Sequence, residues 1–584
     1  MTTSDPAFTQ ETTYDVVVIG GGPVGLLLAY QLKRFGISVC VLEQHEKETQ
    51  DAYGRAIALF PRTLELLDQL EVVEPMLQLG FACRNSVTYK YGERVIPGRV
   101  WTFMENIKDT AYDFTLVLRQ MYTESILRGK LQSVGAVYCQ GMECIGFQCN
   151  GDTAPDGFAM TSTFRNTATQ GTFQLKSEYL IGADGGRSFV RRHAGIPFDG
   201  DTSEDRWIRI DGIVETDMPI TRAYGAIESK THGNVLWAPL DHGATRIGYA
   251  YSPEIAAKYP NGVTQEVAVQ EAIEAMKPFK VLFREVHWWT VYTIGQRIAR
   301  TFSTANNRIF LCGDAAHTHS SGAAQGLNTG IHDAVNLGWK LALHIRGLAK
   351  KEVLETYAAE RLTAAQRLID YDKDIAMLMS YKWPPWYTGD PDADPHLVLG
   401  QIFDKAAAFN TGLGISYPAN VLNDVASVSI TNSSHCDLTP GSRPADVELK
   451  MPGTNQSIRL QKITPGRAQF WVLVFAGSNN PSIQKMLRAL QRYLHDTAPE
   501  LTSHKSIGWL TITTAFGSSP FEALGMSAFG DAYFDAAKPL AHDRLGVDVD
   551  KGGVVILRPD GLVGAMGKME GGWIREYFSR VLYL

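Results

Sequence analysis

"YDVVVIGGGPVGLLLAYQLKRFGISVCVLEQ", residues 14–44, decides the fold. Val16 to Ile19 is a β-branched run suited to a buried parallel strand. Gly20, Gly22 and Gly25 then form G-x-G-x-x-G where the strand gives way to a helix. "VGLLLAYQLKRFG" has helical character and stops at Gly36, and "ISVCVLE" is a second strand that ends at Glu43. The first glycine permits a tight turn, the second lets a pyrophosphate approach the backbone, and the third lets helix and strand pack closely. Amides at the helix N-terminus face the phosphates. Glu43, 18 residues after Gly25, is placed to accept hydrogen bonds from ribose hydroxyls. An acid there disfavours a 2′-phosphate, so FAD or NAD fits better than NADP. A glycine turn without a ligand is the plainer alternative, and it leaves the strand, helix, strand and acid in register unexplained.

Two further stretches choose between FAD and NAD. "YLIGADGGRSFVRR" (179–192) sets Asp184 and Gly185 after an apolar strand, with Arg187, Ser188 and Arg191 at helix-start spacing. "RIFLCGDAAH" (308–317) repeats the arrangement with Gly313 and Asp314. This is more apparatus than one NAD needs. It suits a long ligand threaded across several strand ends, as FAD lies.

The chain has 584 residues, a net charge of −7 and 20% charged residues, the balance of a soluble globular protein of two or three domains. The charge argues against a nucleic-acid partner. The polar start "MTTSDPAFTQETTYD" lacks a signal-peptide core, and no apolar run is long enough to span a bilayer. A cytoplasmic location is expected. The seven cysteines include Cys139, Cys144 and Cys149 at five-residue intervals, which is no zinc spacing, and buried thiols in a reducing compartment are expected. From 83 to 115 and from 201 to 295, segments such as "WIRIDGIVET" and "ATRIGYAYS" read as antiparallel strands. "KWPPWYTGDPDADP" (382–395) reads as a linker. After about 435, "QFWVLVFAG", "PSIQKMLRALQRYL" and "GVVILRPDG" read as strand, helix, and strand with a turn.

The motifs together resemble the single-component, class A flavin-dependent aromatic hydroxylases of the p-hydroxybenzoate hydroxylase type. The phenol hydroxylase branch, which adds a C-terminal domain, is the better match. "GGGPVG", "ADGGRS" and "GDAAHTHSSGAAQGLNTGIHDAVNLGWKL" are its fingerprints in order, supported by "GRAIALFPRTLELL", "LRQMYTESIL" and "FNTGLGISYP". The resemblance covers roughly 14 to 420 densely and reaches the tail through "PGSRPADV" and "AHDRLGV". It implies an α/β plus α+β architecture. A Rossmann-type FAD-binding domain would occupy 1–82, 115–200 and 296–380. An inserted antiparallel-sheet substrate domain would occupy 83–114 and 201–295. A linker and helical connection would span 381–434, and a thioredoxin-like domain without Cys-x-x-Cys 435–584. A tail without that motif is expected to serve packing or a homodimer, not redox chemistry.

The resemblance also implies roles. Gly20, Gly22, Gly25 and Glu43 would hold the ADP half of a tight, non-covalent FAD. Arg55, Arg119 and Gln120 would lie near the pyrophosphate and ribityl chain. Asp314, after Gly313, would bind the ribityl hydroxyls, and the amides at Gly326, Leu327 and Asn328 would face the flavin ring, where a helix N-terminus favours negative charge. Asp184, Gly185 and Arg191 would serve both FAD and a transient NADPH. The implied reaction uses NADPH and O2 to form a flavin C4a-hydroperoxide that hydroxylates a phenolic ring. Baeyer–Villiger insertion, epoxidation and dearomatisation by the same intermediate remain open. A flavin-fold interaction protein is disfavoured by the intact glycines and acids, and a tryptophan halogenase by the lack of W-x-W-x-I-P.

Ile57 stands where relatives carry an acid, and Ser321 where they carry Pro. These departures point to a bulky or polyketide-derived phenol of secondary metabolism, with a simple phenol as the alternative. Tyr224, Trp237, Arg246 and Tyr249 are the pocket candidates. His317 and His319 are read as loop histidines near the flavin, since no third metal ligand is at hand.

Overall fold

The computed structural model describes residues 12–47, 56–96, 98–151, 157–304, 306–320, 322–390, 392–424, 438–515, 517–538 and 540–584; Arg55, Ser321 and Cys436 lie outside them. Strand Thr13–Ile19 is flanked by Val39–Leu42 and Thr172–Gly182, and Thr172–Gly182 pairs in turn with Ile309–Leu311, every pair parallel. Register sets Ile19 opposite both Leu42 and Gly182, and Gly182 opposite Leu311. Four strands therefore stop in one row. The residues that follow them are Gly20, Glu43, Asp184 and the Gly313–Asp314 pair, drawn from three distant parts of the chain.

Helix Pro23–Arg34 makes the first crossover, with Pro at a position whose amide would be orphaned anyway. Its Leu26, Leu27, Leu28 and Leu32 are fully buried, each contributing about 1.5–3 kcal/mol of apolar burial. The covering element is helix Gly326–Ile345, which has no bulk at Gly330 and Gly338 where Val24 and Gln31 approach.

The second sheet holds His317–Thr318, Val281–Ala299, Phe198–Thr216, Thr245–Tyr251, Gly233–Pro239, Tyr224–Ser229, Ser86–Lys90 and Glu93–Val95, in that order. The strands expected from 201 to 295 are its centre. Helix Gln265–Ala275 packs on one face, through Ala268, Ala272 and Ala275. The end of the 29-residue helix Lys351–Met379 packs toward the other, through Ile375 and Leu378. The edge strand His317–Thr318 is itself part of the third glycine-rich stretch, so the two sheets meet there. After the proline-rich segment, helix Pro395–Lys405 folds back, and its Phe403 stacks on Trp101 at 5.7 Å.

The third sheet lies in the tail. Strands Phe470–Gly477, Ile507–Thr513 and Asp531–Phe534 run parallel, and Gly553–Leu557 and Val563–Gly567 add antiparallel. Phe470, Val472 and Val474 join the core of the first sheet's layer, while Leu473 and Phe475 face a separate apolar layer. That is the two-residue period of a strand buried on both sides. Buried charge reinforces the junction. Arg558 bonds Glu360 and Asp560 at 2.7 Å each, and Lys340 bonds Glu360 at 2.7 Å. Among the described residues no helix is long and apolar enough to cross a membrane.

Candidate cofactor and substrate site

The glycine turn has the geometry its spacing implies. Gly20 sits at φ +108°, and a Cβ there would come within 2.3 Å of the Ala183 carbonyl oxygen. A Cβ on Gly25 would lie 2.1 Å from the Gly20 oxygen, so helix and strand touch through bare backbone. Above Gly22 nothing lies within 4 Å. No side chain caps this helix, so its first amides face that open space. Glu43 is buried, and its two oxygens accept the amides of Gly21 at 2.7 Å and His45 at 2.9 Å. A carboxylate has lone pairs beyond these two bonds for a ribose hydroxyl.

The middle and last motifs are bolted together. Arg191 donates to the carbonyls of Gly186 at 3.0 Å and Ala315 at 2.8 Å, while its guanidinium lies 3.7 Å from the centre of the Phe198 ring. Asp184 accepts the Val190 amide through Oδ2, its buried Oδ1 has no partner, and burial raises its pKa. Asp314, in the turn Gly313–Ala315, is exposed and makes no bond among the described residues. Its neighbour Gly313 is held by Asp333, which accepts the Gly313 amide at 2.9 Å, His317 Nε2 at 2.8 Å and Arg361 Nε at 2.6 Å. Burial alone would raise the Asp333 pKa, but the charges of Arg361 and His317 outweigh it and leave it at about 2. His317 is thus a loop anchor with a carboxylate partner.

Helix Gly326–Ile345 begins without a side-chain cap. The buried Nε2 of His319, near Gly326, also has no partner. Leu327 is buried, and Asn328 grips the Ile57 neighbourhood by accepting from the Phe60 amide at 2.8 Å and donating to the Ala58 carbonyl at 3.0 Å. Gln120 donates to Glu124 at 2.8 Å and accepts the Ala56 amide at 3.4 Å.

Arg119 is paired with an acid of the second sheet. Its Nε and Nη2 both bond Asp241 Oδ1, at 2.9 and 2.7 Å, and its own amide donates to Oδ2. That guanidinium latches the first layer to the second sheet and has a carboxylate counter-ion.

The four pocket candidates divide by strand parity. Arg246 pairs across the sheet with Ala238, and Trp237 with Ile247, so Tyr224 and Arg246 share the face toward the long helix. Trp237 and Tyr249 lie on the opposite face, in the apolar layer with Ala268 and Ala272. Trp237 donates to the Thr221 carbonyl and Tyr249 to the Ala268 carbonyl, which satisfies both. These two are core residues, because side chains one step apart on a strand face opposite ways. On the inner face Arg246 forms a two-pronged pair with Asp211, at 2.6 and 2.8 Å. Tyr224 joins an aromatic wall with Trp101 at 4.9 Å, and Phe60, Phe103 and Phe403 complete it. Ile57 is buried in this wall.

Sequence reading missed the wall residues Trp101, Phe103 and Phe403, and the acids Asp241 and Asp333. Asp333 lies within the third fingerprint, but nothing in the sequence singled it out; the others belong to no motif, and only contact between distant elements marks them.

An open cradle at Gly22, two uncapped helix starts, the unpartnered Asp184 Oδ1 and the free Asp314 carboxylate lie along one row of strand ends. This donor and acceptor set fits a flavin dinucleotide: amides for phosphates and carboxylates for sugar hydroxyls. Comparison with known proteins agrees. The FAD binding domain model matches residues 13–372, and the phenol hydroxylase C-terminal dimerisation domain matches 521–583. The chain is 29% identical to 3-hydroxybenzoate 4-monooxygenase of Comamonas testosteroni, over 95% of this chain and 93% of that protein. It is 33% identical to 6-methylpretetramide 4-monooxygenase of Streptomyces rimosus, over 63% of this chain and 62% of that protein. The structure of the flavin-dependent monooxygenase PieE, in complex with FAD and substrate, has the same fold at TM-score 0.72 and 20% identity, covering 98% of this chain and 99% of that one. The chain belongs to the FAD binding domain family, in the branch that carries the phenol hydroxylase dimerisation domain, and is a flavoprotein monooxygenase.

Proposed function

We propose that this protein uses FAD, NADPH and O2 to place one oxygen atom on a bulky phenolic ring. The observation that carries the reading is the meeting of two surfaces. The row of strand ends fit for FAD leads, through the His317–Thr318 strand and the Asn328-held segment, to the aromatic wall of Phe60, Trp101, Phe103, Tyr224 and Phe403. Bound FAD would supply hydride acceptance from NADPH and the activation of O2. Gly20, Gly22, Gly25 and Glu43 hold its ADP half, Gln120, Asp184, Gly185, Gly313 and Asp314 its middle, and the amides of Gly326, Leu327 and Asn328 its ring. Arg191 positions the two acidic motifs relative to each other.

The wall excludes water and orients a flat ring by stacking. With Ile57 in it, the wall has no carboxylate base at that position, and its large aromatic surface suits a polycyclic phenol. The named relatives act on a hydroxybenzoate and on 6-methylpretetramide, a span that includes large ring systems. A tail with the thioredoxin-like order of strands serves as a dimer platform, without Cys-x-x-Cys. The dimerisation domain match and the exposed Phe521, Tyr583 and Leu584 support a homodimer. We place the enzyme in the cytoplasm.

The test is a screen of phenolic polyketides and simple phenols for substrate-stimulated NADPH oxidation, with products identified by mass. Gain of one oxygen with the aromatic ring retained is the expected result. Ring expansion or lost aromaticity would replace hydroxylation with another oxygen insertion. Failure to retain FAD would refute the reading outright.

A further inference from the structure

Among the described residues, Arg246 and Arg209 share the inner face of the second sheet, and only Arg246 has a counter-ion. Arg246 is matched by Asp211. Arg209, two residues from Asp211 on the same strand, is 6% exposed and makes no hydrogen bond or ion pair among the described residues. Its buried Nη1 is an orphan donor. Burying a guanidinium without a partner is costly, so such groups are rare unless something else supplies the charge.

The surroundings are shaped around it. Arg209 pairs with Gly248 on one side and Thr290 on the other. A Cβ on Gly248 would fall 2.1 Å from Arg209 Nη1 and 2.5 Å from Cδ, so the guanidinium rests on bare backbone. The rings of Trp207 and Tyr292 lie 5.0 and 5.7 Å from it. Beyond Gly248, the same row continues through Leu236 to Ala226, which pack against the aromatic wall. A cation thus stands at one end of a cross-strand row of apolar residues that leads to the wall.

We propose that Arg209 recognises an oxygen anion, a carboxylate or an ionised phenol or enol, borne by the aromatic substrate. A planar fork with several N–H donors fits such oxygens, and the guanidinium remains a cation. Binding supplies the missing counter-charge and keeps the substrate in its electron-rich ionised form, a task that no acid at Ile57 performs. The inference rests on the proposed oxygenase function, since it assigns substrate to the cleft beside this sheet.

Equilibrium binding to the FAD-loaded enzyme, measured by titration calorimetry, tests it with two pairs of shape-matched probes. The carboxylate pair is 1-hydroxy-2-naphthoate and 1-hydroxy-2-naphthamide. The phenolate pair is 4-nitrophenolate and 4-nitrotoluene. The wild type is expected to prefer the anion of at least one pair by roughly tenfold to a hundredfold, the worth of a charge-assisted hydrogen bond. The responding pair identifies the oxyanion. Arg209→Gln should erase the preference and Arg209→Lys should retain part of it. Gly248→Ala, which keeps the arginine and evicts its guanidinium, should reduce the preference as Arg209→Gln does. Flavin content and unfolding midpoint establish that each variant is folded. No anion preference in the wild type, or a preference that survives in folded Arg209→Gln, overturns the proposal. The two readings fail differently. Absence of any substrate-stimulated NADPH oxidation sinks the oxygenase function, whereas normal turnover with unchanged KM in Arg209→Gln sinks only the role of Arg209.

Discussion

Asp314 and Asp333 both serve the Gly313 turn, and the structure separates their tasks. Asp333 is fully buried and takes three donors: the Gly313 amide, His317 and Arg361. Asp314 is exposed and has no partner among the described residues. Replacement of Asp333 by Asn removes the charge that matches Arg361, itself 1% exposed. Breaking a buried pair in this way costs about 3–5 kcal/mol. Linkage gives a smaller figure for protonation alone. A shift from 3.8 to about 2 is worth about 2 kcal/mol at neutral pH. Because the folded value is depressed, that stabilisation is complete above about pH 4 and fades as pH falls toward 2. Urea unfolding at neutral pH, with visible flavin absorbance followed in parallel, should therefore show Asp333→Asn losing several kcal/mol together with its FAD. Asp314→Asn should stay within about 0.5 kcal/mol of the parent while binding FAD more weakly. If Asp333→Asn keeps its stability, or Asp314→Asn keeps full flavin affinity, the division of labour is wrong.

Gly22 and Gly25 make a second contrasting pair. Gly25→Ala should destabilise the fold by about 1–3 kcal/mol, since its methyl meets the Gly20 oxygen. Gly22→Ala meets no protein atom and should spare stability while weakening FAD binding; equal thermal shifts in the two variants would contradict this. At the tail junction, Arg558→Met leaves Glu360 buried with Lys340, which should cost about 3–5 kcal/mol in denaturant. An unchanged midpoint would mean the tail is bound by its apolar contacts alone.

This junction also ties the tail to the flavin layer. Arg558 and Arg443 reach Glu360 and Glu65 in the first layer, and Phe470 meets Trp339 edge-on at 5.8 Å. Removing the tail strips buried acids of their partners, so flavin binding should suffer along with assembly.

The cofactor site was legible in the sequence because its chemistry is local. A tight glycine turn, a helix start and an acid at a strand end are all set within a few residues, and Gly20, Glu43 and Asp314 each follow a parallel strand of the first sheet. Parallel pairing then needs only matched strand lengths to bring Ile19, Leu42, Gly182 and Leu311 into line. The substrate side was not legible, because it depends on parity and on which charges meet. One step along a strand moves a side chain to the other face, which took Trp237 and Tyr249 into the core and left Tyr224 and Arg246 inside. Arg119 found Asp241 122 residues away and Arg246 found Asp211 35 residues away, while Arg209 found no acid among the described residues. Sequence alone determined that this chain holds a flavin dinucleotide. Only the tertiary structure decided which of its charges remain free, because an ion pair is a fact of distance in space.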